Sequence, residues 1–190
     1  RAEMAGHGGF VKGVDVSPDG RLVLTGSFDY TLRLWDLGRQ ETLAVLNEHE
    51  GAVNDVAFLP DSRRAVAVGD DGSMRMWDAA GGKQLHVFTG HKGKVAAVAV
   101  SPDGRLAATA GWDRRVRLWD LGARELLRVL EGHDDVVNDV AFLPGGEHLL
   151  TASGDGTAVL WRVADGEFAH RLSGHGLGVN GVAVAPDGKH

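Results

Sequence analysis

Gly90-His91 opens the stretch that decides the fold, Ser101-Pro102-Asp103-Gly104 turns it, and Arg117-Leu118-Trp119-Asp120 closes it. Reading outward, its histidine belongs to a series. His7, His49, His91, His133 and His175 recur every 42 residues. Trp35, Trp77, Trp119 and Trp161 keep the same period, as do Asp29, Asp71, Asp113 and Asp155. Three chemically distinct residues in one register through four repeats mark a repeat architecture. The repeats run over about 7–48, 49–90, 91–132 and 133–174, with a partial one at 175–190.

Each repeat reads as four short strands separated by turn signals, at the spacing of all-β folds. In the first, Val11 to Val16 alternates apolar with small or polar residues, and Ser17-Pro18-Asp19-Gly20 is a turn. Arg21 to Ser27, Thr31 to Trp35 and Thr42 to Leu46 supply the other three strands. No segment holds a helical period. A second period overlies the first: Val-Asn-Asp-Val-Ala-Phe-Leu-Pro occurs at Val53 and again at Val137, two repeats apart. Repeats one and three share Ser-Pro-Asp-Gly-Arg-Leu instead, so a two-repeat unit is read as duplicated.

The Gly-His, Pro-Asp-Gly and Trp-Asp signatures at this period closely resemble WD repeats, and the resemblance covers essentially the whole chain. It implies an all-β fold, a β-propeller segment of four-stranded antiparallel blades. The expected form is an open arc of about four blades plus a partial one. Phe168 to Leu172 and Val179 to Val184 are expected to start the fifth blade, because each sequence repeat is taken to be offset from a blade, its fourth strand joining the next. Further blades in the same chain, or a homo-oligomer, would close the ring. The resemblance also implies a hydrogen-bond network in each blade joining His, Asp, Trp and the hydroxyl of Thr25, Thr109 or Thr151. Ala67 stands where the second repeat should have threonine, so its network should be the weakest. Glu48-His49 and Trp161-Arg162 are further departures. The turns Ser27-Phe28-Asp29-Tyr30 and Ala110-Gly111-Trp112-Asp113 look like those of bacterial WD-repeat proteins that carry a c-type cytochrome domain.

Composition narrows the functional classes. The 190 residues are 43% hydrophobic and 24% charged, enough for a sizeable core. Glycine, at 28 residues, is about twice its usual share of roughly 7% and fits many tight turns. A net charge of -6 argues against a general nucleic-acid or membrane-surface binder. The absence of cysteine excludes disulfides, thiolate chemistry and haem attachment within the chain. No apolar run reaches the roughly 18 residues of a membrane span. Arg1-Ala2-Glu3-Met4 does not read as a signal peptide. The default compartment is cytoplasmic, or periplasmic if a signal peptide precedes this segment.

Several motifs invite chemistry and are read as structural. The recurring His, Asp and Thr suggest catalytic sets, but their repetition is that of a blade network, and no unrepeated nucleophile and base stand out. Gly176 to Gly181 has the spacing of a dinucleotide fingerprint without the helix that should follow it. Asp70-Asp71 and Asp134-Asp135 lack the alternating ligands of a calcium loop. His86, His148, His170 and His190 share no spacing that would hold a metal. The chain is read as a non-catalytic interaction scaffold without cofactor or metal.

Residues that break the repeat on the loop face are the binding candidates. Phe10 aligns with Ala52, Lys94 and Val136; Phe28 with Asp70, Trp112 and Gly154; Tyr30 with Gly72, Arg114 and Gly156. Aromatics and arginine are the types enriched at binding hot spots. Phe10, Phe28, Tyr30, Lys94, Trp112 and Arg114 are therefore expected to meet a protein partner, against the alternative that they only pack on neighbouring loops.

Overall fold

The structure, a computed structural model, describes residues 4–188. Its described residues form four antiparallel sheets in simple meander order, all β, as the sequence predicts. Sheet one contains β1 (Val11–Val16), β2 (Leu22–Ser27), β3 (Leu32–Asp36) and β4 (Glu41–Leu46). Sheet two contains β5 (Val53–Phe58), β6 (Arg64–Gly69), β7 (Ser73–Asp78) and β8 (Lys83–Thr89). Sheet three contains β9 (Val95–Val100), β10 (Leu106–Gly111), β11 (Arg115–Asp120) and β12 (Glu125–Glu131). Sheet four contains β13 (Val137–Phe142), β14 (His148–Ser153), β15 (Ala158–Arg162) and β16 (Phe168–Leu172). The chain forms two compact units that divide between Gly90 and His91, each a pair of sheets.

The expected offset between repeat and blade is overturned for repeats that begin at the histidines. β4 pairs with β3 of its own repeat, Trp35 standing opposite Thr42. Phe168–Leu172 likewise completes the fourth blade, with Trp161 opposite Phe168, and starts no fifth one. The reason is the short connection after the tryptophan. Gln40 takes a left-handed φ of 60° and its N–H donates to the Asp36 carbonyl at 2.8 Å, so the chain must double back onto β3. The same left-handed site is Gly82, Arg124 and Gly166 in the other repeats. It is the histidine loop that carries the chain to the next sheet.

Within the first unit, alternate residues of sheet one, Leu24, Leu32, Leu34 and Leu46, meet Val53, Val56, Phe58, Ala65 and Trp77 of sheet two. Each fully buried aliphatic side chain of this kind stabilises by roughly 1.5–3 kcal/mol. The backbones come close enough that a Cβ on Gly13 would lie 2.8 Å from the Asp55 Cα, which only glycine allows. Asp15 then bridges the two sheets, its Oδ2 accepting from the Phe58 N–H at 2.7 Å. In the second unit Leu118, Leu130 and Val116 pack on Val137, Val140, Leu149 and Trp161 in the same way. Residues 179–184 form no strand, yet they seat on sheet four: the Val179 N–H donates to the Ser153 carbonyl and the Val182 N–H to Asp139 Oδ2.

Candidate functional site: the loop face and the networks beneath it

Beneath the histidine loops of blades one, three and four runs a chain of hydrogen bonds from tryptophan to aspartate. In blade one the Trp35 indole can only donate, and it does so to Thr25 Oγ1 at 2.9 Å. The Thr25 hydroxyl passes the bond to His7 Nε2 at 2.7 Å, and His7 Nδ1 donates to Asp29 Oδ2 at 2.9 Å. A carboxylate can only accept, so His7 Nδ1 carries a proton. The carboxylate also accepts from the Gly8 N–H and, at Oδ1, from the Thr31 N–H and hydroxyl. One side chain thus ties the histidine loop to the turn between β2 and β3. Burial by itself would raise the Asp29 pKa, but the bonds from Thr31, His7 and Gly8 outweigh it and hold the group well below the usual range.

Blade three, where convergence is expected of His91, Thr109, Asp113 and Trp119, brings all four together. Trp119 Nε1 donates to Thr109 at 2.9 Å, Thr109 meets His91 Nε2 at 2.8 Å, and His91 Nδ1 meets Asp113 at 2.9 Å. Blade four repeats this through Trp161, Thr151, His133 and Asp155. Blade two does not. His49 Nδ1 still bonds Asp71 at 2.9 Å, but Ala67 offers no hydroxyl, and His49 Nε2 and Trp77 Nε1 are buried without a hydrogen-bond partner. The departure read from the sequence is therefore real in the geometry.

An arginine of the third strand enters two networks, which the sequence reading missed. Arg117, itself buried, donates to Asp113 Oδ2 at 2.8 Å and lies 2.7 Å from His91 Nδ1. Arg75 reaches Asp71 only at 3.4 Å. Burial first, and the Arg117 charge next against it, lower the His91 pKa below its ordinary 6.5. Asp113 falls to about 2, because bonds from the Lys92 N–H, His91 and Arg117 outweigh the burial that would raise it. The glycine run 176–181 is not followed by a helix, and among the described residues no group of three or more His, Asp or Glu is placed to hold a metal ion. His190 lies outside the described residues, as do Arg1, Ala2 and Glu3.

On the loop face above the networks, one backbone bond recurs. The Phe28 N–H donates to the Phe10 carbonyl, Asp70 to Ala52, Trp112 to Lys94 and Gly154 to Val136, each at 2.9 Å. Every blade therefore sets the same two positions side by side, whatever side chains they carry. In blade one they are rings: Phe10, 82% exposed, stands edge-on to Phe28 with centroids 6.3 Å apart. In blade three the Lys94 ammonium lies 5.2 Å from the centroid of Trp112, a ring 52% exposed. The third position has left-handed backbone throughout, with φ of 70° at Tyr30, 76° at Gly72, 65° at Arg114 and 82° at Gly156. Two blades use glycine there and two hold a large side chain, at a cost of roughly 1–2 kcal/mol. Arg114 also donates weakly to the Asp134 carbonyl at 3.5 Å. Phe10, Phe28 and Tyr30 are thus brought together in one unit, and Lys94, Trp112 and Arg114 in the other. Phe10 and Phe28 pack on each other and Trp112 packs beside Lys94, and all three rings remain exposed. Lys12 was not foreseen. Its ammonium lies 5.9 Å from the Phe28 centroid and donates to Asn54 Oδ1. It aligns with Asn54, Ala96 and Asn138, a break in the repeat two residues beyond Phe10.

Four meander sheets, each pinned by a His–Asp pair under its loop, define a protein built of repeated blades. The chain belongs to the WD-repeat family: the family description "WD domain, G-beta repeat" matches residues 1–36, 40–78, 82–120 and 124–162. In that framing the second, third and fourth matched stretches open on or just before the outer strand of the preceding sheet, the offset that histidine-based boundaries lack. The chain is similar to the Saccharomyces cerevisiae protein named guanine nucleotide-binding protein subunit beta, 53% identical over 38 residues. It is also similar to the Caenorhabditis elegans small ribosomal subunit protein RACK1, 53% identical over 36 residues. These matches span 20% and 19% of this chain and only 9% and 11% of the two relatives.

Proposed function

We propose that the chain is a non-catalytic interaction scaffold that binds protein partners through Phe10, Phe28 and Tyr30 in one unit and Lys94, Trp112 and Arg114 in the other. The observation that carries this reading is the contrast between blades at one backbone frame. Blades two and four place small, aliphatic or acidic residues in it, whereas blades one and three hold exposed rings, the exposed Arg114 and the half-buried Lys94, with Tyr30 and Arg114 on left-handed backbone. A strained, exposed side chain where glycine would serve is the kind of feature function explains better than stability does. Both relatives are named as parts of larger assemblies, which fits a binding role. The test is affinity capture from the native source with Phe10→Ala/Phe28→Ala/Tyr30→Gly, Lys94→Ala/Trp112→Ala/Arg114→Gly and a control at exposed Leu43. Loss of a captured protein in the loop variants and not in the control is expected. Equal capture by all would overturn the reading.

The same proposal includes a partner of another kind. Val11, Val14 and Val16 of β1 are exposed, whereas their equivalents Val53, Val56 and Phe58 in β5 are buried against sheet one. That face of blade one is shaped for a further blade, supplied by the same protein or by a second copy. Light scattering should then find this chain by itself dimeric or aggregated, and a stable monomer at micromolar concentration would count against it. The turns around Phe28 and Trp112 support a second reading, a docking or sensory propeller in a larger bacterial enzyme or c-type cytochrome protein. A Cys-x-x-Cys-His motif in a joined region would favour it.

A further inference from the structure

In three blades a threonine oxygen sits between an indole N–H and an imidazole nitrogen, at 2.9 Å from the first and 2.7–2.8 Å from the second. It also faces the carbonyl of the residue opposite in the third strand, Thr25 toward Arg33 at 3.4 Å and Thr151 toward Val159 at 3.3 Å. Blade two keeps everything but the threonine. Ala67 stands opposite Arg75 in the same register, His49 keeps its bond to Asp71, and the side chain of His49 is fully buried. Trp77 is equally buried, at 1% exposure. A buried indole N–H and a buried imidazole nitrogen are both without a partner, and the repeat register places Ala67 where the other blades set the threonine that bonds both.

From this we infer that blade two holds a structural water molecule beside Ala67, bound where the other blades place the threonine oxygen. Its chemistry fits all three neighbours. The water accepts from Trp77 Nε1–H, donates one proton to His49 Nε2 and donates the other to the Arg75 carbonyl. Threonine has a single proton to donate, so it must choose between its last two neighbours. Three polar partners are the usual number for a buried water, and the space freed by a hydroxyl and a methyl group exceeds the one-probe volume that such a site needs. The site's ligand is water, and it is selected by an arrangement of one donor and two acceptors.

Two substitutions in the full-length protein distinguish a wet site from a dry one. Ala67→Thr restores the hydroxyl, expels the water and keeps both neighbours bonded, so the melting temperature should hold or rise. Ala67→Val has the shape of threonine without its oxygen. With a resident water, valine evicts it and orphans both groups, lowering the melting temperature by about 2 °C or more. In a dry site valine fills an apolar hole and raises the melting temperature as threonine does, which would overturn the inference. A crystal structure of the unmodified protein supplies the second readout, independent of any variant's folding. An ordered oxygen within hydrogen-bond reach of both Trp77 Nε1 and His49 Nε2 is expected, and its absence from well-defined density would overturn the inference equally.

Discussion

Blade two and blade three start from the same three side chains, His, Asp and Trp, and end in different electrostatic states. In blade three the donors run unbroken from Trp119 to Asp113, and Arg117 closes the far end with a buried ion pair. In blade two the run stops at Ala67, and Arg75 divides its guanidinium between Gln84 at 2.9 Å and a long contact to Asp71. The same repeat can therefore stabilise by a charged, tightly coupled network or by packing with a shorter set of bonds. Single substitutions should act differently in the two.

The largest difference is expected for the aspartates. Asp113→Ala strips Arg117 of its carboxylate in a buried setting, and removing one partner of such a pair costs about 3–5 kcal/mol. Asp71→Ala should cost less, since Arg75 keeps Gln84. Denaturant melts of the two variants test this, and equal losses would show that Arg117 adds nothing. Next comes Thr109→Ala, which gives blade three the chemistry of blade two. It should cost about 1–3 kcal/mol for each orphaned group that finds no water. A loss much smaller than that would mean that a water molecule takes the place of the hydroxyl, as inferred for blade two.

Acid should separate the groups by type. Because the His91 pKa is lowered in the folded state, the unfolded chain binds the proton first. Stability should fall as pH drops below about 6.5, and His91→Asn should remove that slope. The carboxylates Asp29, Asp71, Asp113 and Asp155 have depressed values, so their contribution is complete above the ordinary 3.8 and is lost as pH falls toward 2. Melting temperature followed from pH 7 to pH 2 should therefore decline in two stages. The smallest effect belongs to the loop face. Tyr30→Gly relieves a left-handed backbone and should change stability by less than about 1 kcal/mol, in the favourable direction. A large loss would mean that the Tyr30 ring packs more firmly than its 53% exposure indicates.

Much of this was legible in the sequence. Strand positions follow from alternation and turn residues, and β1 begins and ends where Val11 and Val16 predict. The broken network at Ala67 is also legible, because a missing hydroxyl in a fixed register needs no coordinates to be noticed. Sheet membership of the fourth strand is not legible, since Thr42 could pair backward or forward, and a left-handed φ at Gln40 decides it. The role of Arg117 is hidden for a similar reason. Arg33, Arg75 and Arg117 occupy one repeat position, and only the rotamer sends one to a backbone carbonyl, one to a glutamine and one to the aspartate.

The 2.9 Å bond that joins positions such as Phe10 and Phe28 uses backbone atoms alone. Its consequence is evolutionary. Mutation can rewrite both side chains without disturbing the frame that presents them, as the change from two phenylalanines to alanine and aspartate within this one chain already illustrates. Side chains on this face are therefore free to change while the backbone frame beneath them is kept, and equivalent positions in different blades can diverge independently.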